Sequence, residues 1–267
     1  MGANIKNLRV RIKSVDSTLH LTTAMGLVAS SKIRRAQINM TKANEYVDAV
    51  QGLIGALTAG GECRSSVYMK QREGDRIKLI VIAGDRGLAG GYNANVFRAV
   101  KEYEGADVVA IGKRACERFS QPVNSSEKID YDEIYKLAEV LCQEWREGKY
   151  DKIGIVDTKY VSMLTQQTRV RWIFPLEIAE NPTATGMIFE PDRMTVLERA
   201  VPTYVAGMIY GSVRESFASE VVARRTAMDS AGKNAQTMID DLQLQYNRAR
   251  QGTITQEITE IVAGSGN

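Results

Sequence analysis

ASEVVARRTAMDSAGKNAQTMIDDLQLQYNRARQGTITQEITEIV, residues 218–262, decides the fold. The stretch has no proline and two glycines, Gly232 and Gly252, a composition that favours one uninterrupted helix. Small or apolar residues recur at Val221, Met228, Ala231, Ala235, Met238, Leu242, Tyr246 and Ala249. Steps of three and four make the narrow seam of a coiled coil, not the broad apolar face of a helix lying on a globular core. Such a seam needs a second helix.

The other end of the chain supplies it. Ile5, Leu8, Ile12, Val15, Leu19, Thr22, Gly26, Ala29, Ile33, Ala36, Met40, Ala43, Val47, Val50, Ile54 and Leu57 hold a strict seven-residue repeat. Of these 16 residues 14 are apolar, counting alanine, against 44% of the whole chain. A repeat sustained this long imposes a left-handed supercoil. As one straight helix it would be ~80 Å long, more than the width of a globular domain of this size. Thr22 and Gly26 are its weak point, a place for closer packing or a bend. Gly60-Gly61 is the expected stop.

Between the two helices the periodicity changes. A polar linker is expected over 62–74. IKLIVIA (77–83), DVVAI (107–111) and KIGIVD (152–157) read as buried strands, and TRVRWIF (168–174) as a strand nearer the sheet edge. Helices are expected over 94–103, 113–120 and 131–146, a loop over 181–191, and helix again from about Met194. Alternating strands and helices make an α/β unit with a largely parallel, Rossmann-like sheet. The expected fold is therefore a long antiparallel left-handed coiled coil of the terminal helices with an inserted α/β domain. Its parts are residues 1–60, 61–193 and 194–267.

Composition narrows the function. A net charge of +3 is too small to imply nucleic acid. Cys63, Cys116 and Cys142 are odd in number and far apart, which suggests neither a zinc site nor a disulfide frame. No apolar run approaches the ~20 residues of a membrane span. The N-terminus has no signal-peptide core, and Lys6 breaks the myristoylation pattern. A soluble protein whose membrane role runs through partners is expected.

Candidate chemistry is thin. GDRGLAGG (84–91) follows a strand and precedes a helix, where phosphate loops sit, but it lacks both the GK[ST] ending and the GxGxxG spacing. A tight turn, or a contact surface, is the better reading. His20 is the only histidine and makes neither a metal cluster nor a triad. Asp240-Asp241 and Glu257/Glu260 fall on a helix with no pocket, so they read as solvated. Basic clusters around Lys6–Lys13, Lys32–Arg35, Arg224-Arg225 and Arg248–Arg250 flank the seam. They serve as solubilising flanks, or as contacts to an acidic partner. Met25, one place off the seam, is either packing or an adaptable contact.

Three segments carry a family likeness: residues 12–32 (IKSV, then LTTAMGLVASSK), DRGLAGGYN (85–93), and the end of the chain, with AMD (227–229), NA (234–235), YNRARQ (246–251) and ITQEITEIVAG (254–264). In these the chain resembles the γ subunits of F-type ATP synthases over its whole length. The resemblance implies a rotor shaft standing in a ring of three α and three β subunits. It rests on a membrane-embedded c-ring beside an ε subunit, at the cytoplasmic face of a bacterial plasma membrane. It implies no catalysis, no nucleotide or metal site, no cofactor and no nucleic-acid partner in this chain. By the same resemblance, Met25, Lys32, Arg250, Gln251, Thr255 and Glu257 touch β subunits. Ile258, Ile261 and Val262 form an apolar tip in a bearing, and Asp85, Arg86, Gly87, Gly90 and Gly91 belong to the strand-to-helix loop. The rival reading is a free coiled-coil scaffold with a partner-binding α/β head.

Overall fold

The computed structural model of the chain describes residues 2–59, 61–177 and 188–264. Helix α1 (Gly2–Thr58) and helix α5 (Arg193–Gly264) bracket the rest. Between them come β1 (Ile77–Ile82), α2 (Tyr92–Lys101), β2 (Asp107–Ile111), α3 (Lys113–Arg118), α4 (Tyr131–Arg146), β3 (Lys152–Tyr160) and β4 (Gln166–Phe174). The chain forms two compact units, residues 1–30 with 224–267, and residues 31–223. The division cuts both long helices rather than following their ends.

The first unit is a helical pair. On α1, Ile5, Leu8, Ile12, Val15 and Leu19 are half-buried, and Thr22, Gly26 and Ala29 are buried. On α5, Met228, Ala235 and Leu242 are buried, with Gly232, Ile239, Tyr246, Ala249 and Thr253 half-buried. The helices run antiparallel: a Cβ added to Gly26 would meet Met228, and one added to Gly232 would meet Leu19 and Thr22. One seam residue was misassigned. Met238 is 44% exposed, and Ile239 takes its place. From Met228, steps of three and four through Ala231, Ala235, Met238 and Leu242, and of four and three through Gly232, Ala235, Ile239 and Leu242, both keep a heptad; the half-burial of Ile239 against an exposed Met238 selects the second. The expected weak point is a close approach. Glycines on both helices admit the neighbour, and Thr22 satisfies its hydroxyl on the Thr18 and Leu19 carbonyls of its own helix. Arg225 bridges the pair, donating to the Gly26 carbonyl at 3.2 Å, to Asp229 at 2.7 Å and to the Ser30 hydroxyl.

The second unit is built on a sheet of order β2-β1-β3-β4. β1 pairs parallel with β2 and β3, while β4 returns antiparallel on β3. Period-two alternation sends Leu79 and Val81 to one face and Ile80 and Ile82 to the other. The first face packs with Val96, Val100 and Ala115 of α2 and α3. The second packs with Ile134, Leu141 and Trp145 of α4, Leu57 of α1 and Val205 and Ile209 of α5. The seam thus becomes core: Val47, Ile54 and Leu57 keep the heptad and join this cluster. Gly211 lets α5 approach, since a Cβ there would lie 2.4 Å from Val47. Helix α4 starts at Asp130, whose carboxylate caps the Glu133 N–H at 2.8 Å.

The polar linker expected over 62–74 keeps Glu62, Arg64, Lys70 and Glu73 exposed, but it also contributes to the core. It opens with a 3-10 turn, Gly61–Ser65, and buries Cys63 and Tyr68. Tyr68 stacks on Phe174 at 5.4 Å, and Arg72 lies over the Trp145 ring at 4.0 Å. Isolated apolar residues among charges carry no period, so the sequence signal was absent. Other differences are of one to three residues at element ends, β3 running on to Tyr160 and α2 starting at Tyr92. Gly60, residues 181–187 of the expected loop and Ser265-Gly266-Asn267 lie outside the described residues.

Candidate functional site

The glycine loop after β1 is a joint within the second unit. The Asp85 carboxylate accepts the backbone N–H groups of Lys113 (3.1 Å), Ser126 (2.9 Å) and Glu127 (3.2 Å) and the Ser125 hydroxyl. Asn93 accepts the Gly84 N–H at 2.9 Å and donates to the Arg86 carbonyl. Leu88 and Gly90 take left-handed φ of 60° and 58°, which closes the turn. Gly84 passes so close to α5 that a Cβ would lie 2.6 Å from the buried Glu220 carboxyl carbon. The N–H groups that Asp85 holds belong to α3 and the 125–127 turn, and the loop itself has two acidic side chains beside its backbone, Asp85 and Glu220. The electrostatics oppose a polyphosphate. Arg86 is exposed, Gly87 half-buried, and Gly90 and Gly91 exposed at the loop surface.

Burial raises the Asp85 pKa, but the Ser125 hydroxyl and the three N–H groups outweigh it, leaving the carboxyl below its ordinary value. A depressed folded-state pKa contributes stability above the unfolded value of ~4, and that stability is lost as pH falls through the folded value. Asp85→Ala is expected to cost about 2–3 kcal/mol at pH 7. The gap between variant and parent should narrow below about pH 4. Urea unfolding at pH 7 and pH 3 checks this; a gap independent of pH would refute the assignment.

A second polar cluster, which the sequence did not disclose, ties the sheet to α5. Asp157 is fully buried on β3. It accepts from Arg169 at 2.8 and 3.2 Å and from Arg171 at 2.6 Å, both on β4. Arg169 also donates to Glu215 of α5 at 2.6 Å, and Arg171 donates to the Ser212 hydroxyl. Ser216 and Ser219 of α5 bond the Thr158 backbone at 3.1 and 3.2 Å. The helix is thus fixed to the β3–β4 hairpin by directional bonds as well as apolar packing.

The expected contact residues lie on both long helices. Met25 is half-buried, and Lys32 pairs with Glu127 at 2.7 Å within the second unit. Arg250, Gln251, Thr255 and Glu257 are exposed on α5. Among the described residues Thr253 is the last that is half-buried, and every residue from Ile254 to Gly264 is exposed, Ile258, Ile261 and Val262 among them. His20 is exposed, 3.7 Å from Asp16, and Asp240, Asp241 and Glu260 are solvated on α5. Among the described residues, no group of three or more His, Cys, Asp or Glu could hold a metal, and no helix is long and apolar enough to cross a membrane.

A family model described as ATP synthase matches residues 4–266. The chain is 39% identical over 283 residues to the ATP synthase gamma chain of Ruminococcus albus, covering 99% of each. It is 36% identical over 298 residues to the sodium ion specific ATP synthase gamma chain of Acetobacterium woodii, again covering 99% of each. The chain belongs to the ATP synthase gamma family. Its fold agrees with solved members of larger assemblies. A chain of the Euglena gracilis mitochondrial ATP synthase OSCP/F1/c-ring matches with TM-score 0.69 at 17% identity, over 99% of this chain and 94% of that one. A chain of the Tetrahymena thermophila mitochondrial ATP synthase central stalk/c-ring matches with TM-score 0.59 at 20% identity, over 79% of this chain and 99% of that one. At these identities the likeness is one of fold, and it agrees with a coiled coil carrying an inserted α/β domain.

Proposed function

We propose that the chain is the central rotor shaft of an F-type ATP synthase. Residues 1–60 and 194–267 form the shaft and residues 61–193 the head. Ion flow through a c-ring turns the head and shaft together. The asymmetric shaft then drives each β-subunit site of an α3β3 ring through its successive conformations. Bond chemistry and nucleotide binding belong to the ring, and an ε subunit sits beside the head. Membrane attachment runs through the partners alone, at the cytoplasmic face of a bacterial plasma membrane.

The observation that carries this reading is the uncovered end of α5. The seam finishes at Thr253, yet the helix continues to Gly264 with Ile254, Ile258, Ile261 and Val262 exposed. Such an apolar face on a soluble helix needs surroundings to cover it. A ring around the shaft tip supplies them, with Ile258, Ile261 and Val262 in its bearing. Just before them, Arg250, Gln251, Thr255 and Glu257 are exposed polar groups suited to weak, exchangeable contacts with β subunits, and Met25 and Lys32 make such contacts from α1. A free scaffold leaves that apolar end uncovered.

The test is the triple variant Arg250→Ala, Gln251→Ala, Thr255→Ala. Coupled ATP synthesis in membrane vesicles should fall, while the melting temperature of the chain moves by less than ~2 °C, because exposed side chains contribute little to folding. Unchanged synthesis and assembly would remove the assignment of these three residues to β-subunit contact.

A further inference from the structure

Strand β3 outruns one of its neighbours. Its pairing with β1 ends at Val156, while its pairing with β4 runs on to Tyr160. Beyond Val156 the place of β1 is taken by side chains of α5. Ser216 accepts the Thr158 N–H at 3.1 Å, and Ser219 donates to the Thr158 carbonyl at 3.2 Å. Glu215 accepts the Tyr160 N–H at 3.2 Å. The helix is thus bonded to the edge of β3 where a strand would otherwise be.

The groups that do this lie on one stripe of α5. Ser212, Glu215, Ser216 and Ser219 follow steps of three and four, and all are buried. The buried residues of the preceding turns, Val201, Val205 and Ile209, are apolar. The same stripe takes up the charges of the sheet: Arg169 links Asp157 to Glu215, and Arg171 links Asp157 to Ser212. From α2, Tyr92 donates to the Ser216 carbonyl at 3.0 Å. All of these residues belong to the second unit.

Apolar packing is non-directional and leaves neighbouring helix registers close in energy. Against α1, the same helix presents Gly207 and Gly211, where an added Cβ would press on Val50 and Val47. The polar stripe behaves differently. A roll of α5 by one residue, about 100°, or a slide by one turn, about 5.4 Å, breaks every one of these bonds and strands the Glu215 carboxylate in the interior. Buried polar groups set register in this way at some loss of stability.

We propose that this stripe is the rotational lock of the head. It fixes the roll and the axial register of α5 against the β3–β4 hairpin, so a head turned under load carries α5 with it and does not slip. The proposal rests on the shaft reading, since only a turned head loads the joint. Asp157, Arg169 and Arg171 are positioning residues that act through Glu215 and Ser212.

The test removes the lock and keeps the packing. Asp157→Val, Arg169→Met, Arg171→Met and Glu215→Leu together replace the ionic cluster with apolar side chains, a change that is often neutral for folding. Ser212 keeps its bond to the Met208 carbonyl of its own helix. In the ATP synthase carrying these four changes, ATP hydrolysis without an opposing gradient should stay within ~2-fold of the parent's. Ions pumped per ATP against a gradient should fall at least ~5-fold. A disulfide between Thr158→Cys and Ser216→Cys, added to the same variant, should restore pumping. Should the four changes prevent assembly, Ser216→Ala with Ser219→Ala should lower the same ratio at least ~2-fold. A ratio equal to the parent's in the variant that assembles overturns the lock and leaves the shaft reading standing. Hydrolysis and pumping that fall together, with no rescue by the disulfide, overturn it in favour of a role in folding alone. ATP-driven pumping by an assembly that lacks this chain overturns the shaft reading itself.

Discussion

Asp157→Ala is expected to lower the unfolding free energy by about 3–5 kcal/mol, the usual result of removing one partner from a buried ionic cluster. Asp157 is fully buried and takes three charge-assisted hydrogen bonds from Arg169 and Arg171. Without it, two largely buried guanidinium groups share Glu215 and the Ser212 hydroxyl, and the gap left by the carboxylate cannot be filled by the surrounding backbone. The loss should fall on the joint between the β3–β4 hairpin and α5, so assembly of the complex should suffer with stability. As a control, Glu147→Gln removes a solvent-exposed pair with Lys149 and should change nothing measurable. Urea unfolding of the three proteins checks both. A loss below ~1 kcal/mol for Asp157→Ala would show that the cluster is wet and weak.

Gly112→Ala should be comparably severe for a different reason. Gly112 opens α3 with φ of 96° and ψ of 143°, a region that L residues essentially do not occupy. An added Cβ would lie 2.0 Å from the Ala83 carbonyl oxygen, which is backbone and cannot swing away. Strain and overlap together should cost at least ~3 kcal/mol. Gly105 separates the two causes: its φ is 82°, but nothing lies within 4 Å of an added Cβ. Gly105→Ala should cost only about 1–2 kcal/mol, the conformational part alone. Equal losses at the two positions, read from denaturant midpoints, would contradict the steric account.

The helical pair was legible in the sequence because a seven-residue repeat has one physical solution. Each expected α1 position from Ile5 to Leu57 is buried or half-buried. The α5 seam was read almost as well, and its error at Met238 came from two adjacent apolar residues that fit steps of three and four equally, of which the fold half-buries Ile239. The strands were legible because runs such as IKLIVI suit a sheet buried on both faces. Polar structure was not legible. TRVRWIF alternates like a half-exposed strand, and nothing local says that Arg169 and Arg171 face inward. Their partners Asp157, Ser212 and Glu215 are distant in sequence and meet only after folding. The glycine loop departs from phosphate loops in its spacing, and this could be read from the sequence. Its positive role, Asp85 gathering the 125–127 turn and the start of α3, needed the fold. The residues from Arg250 to Val262 drew their meaning from family likeness, and the structure adds their exposure past the end of the seam.

Rotation of the chain inside a fixed ring tests the central claim most directly. Leu164, at the tip of the β3–β4 hairpin and 87% exposed, offers an attachment point. Cys63, Cys116 and Cys142 are all buried, so Leu164→Cys should be labelled alone with a visible probe. With the ring held to a surface and ATP supplied, the probe should turn continuously in one direction, and stop when ATP is removed. A complex that hydrolyses ATP at its full rate while the probe stays still would contradict the shaft.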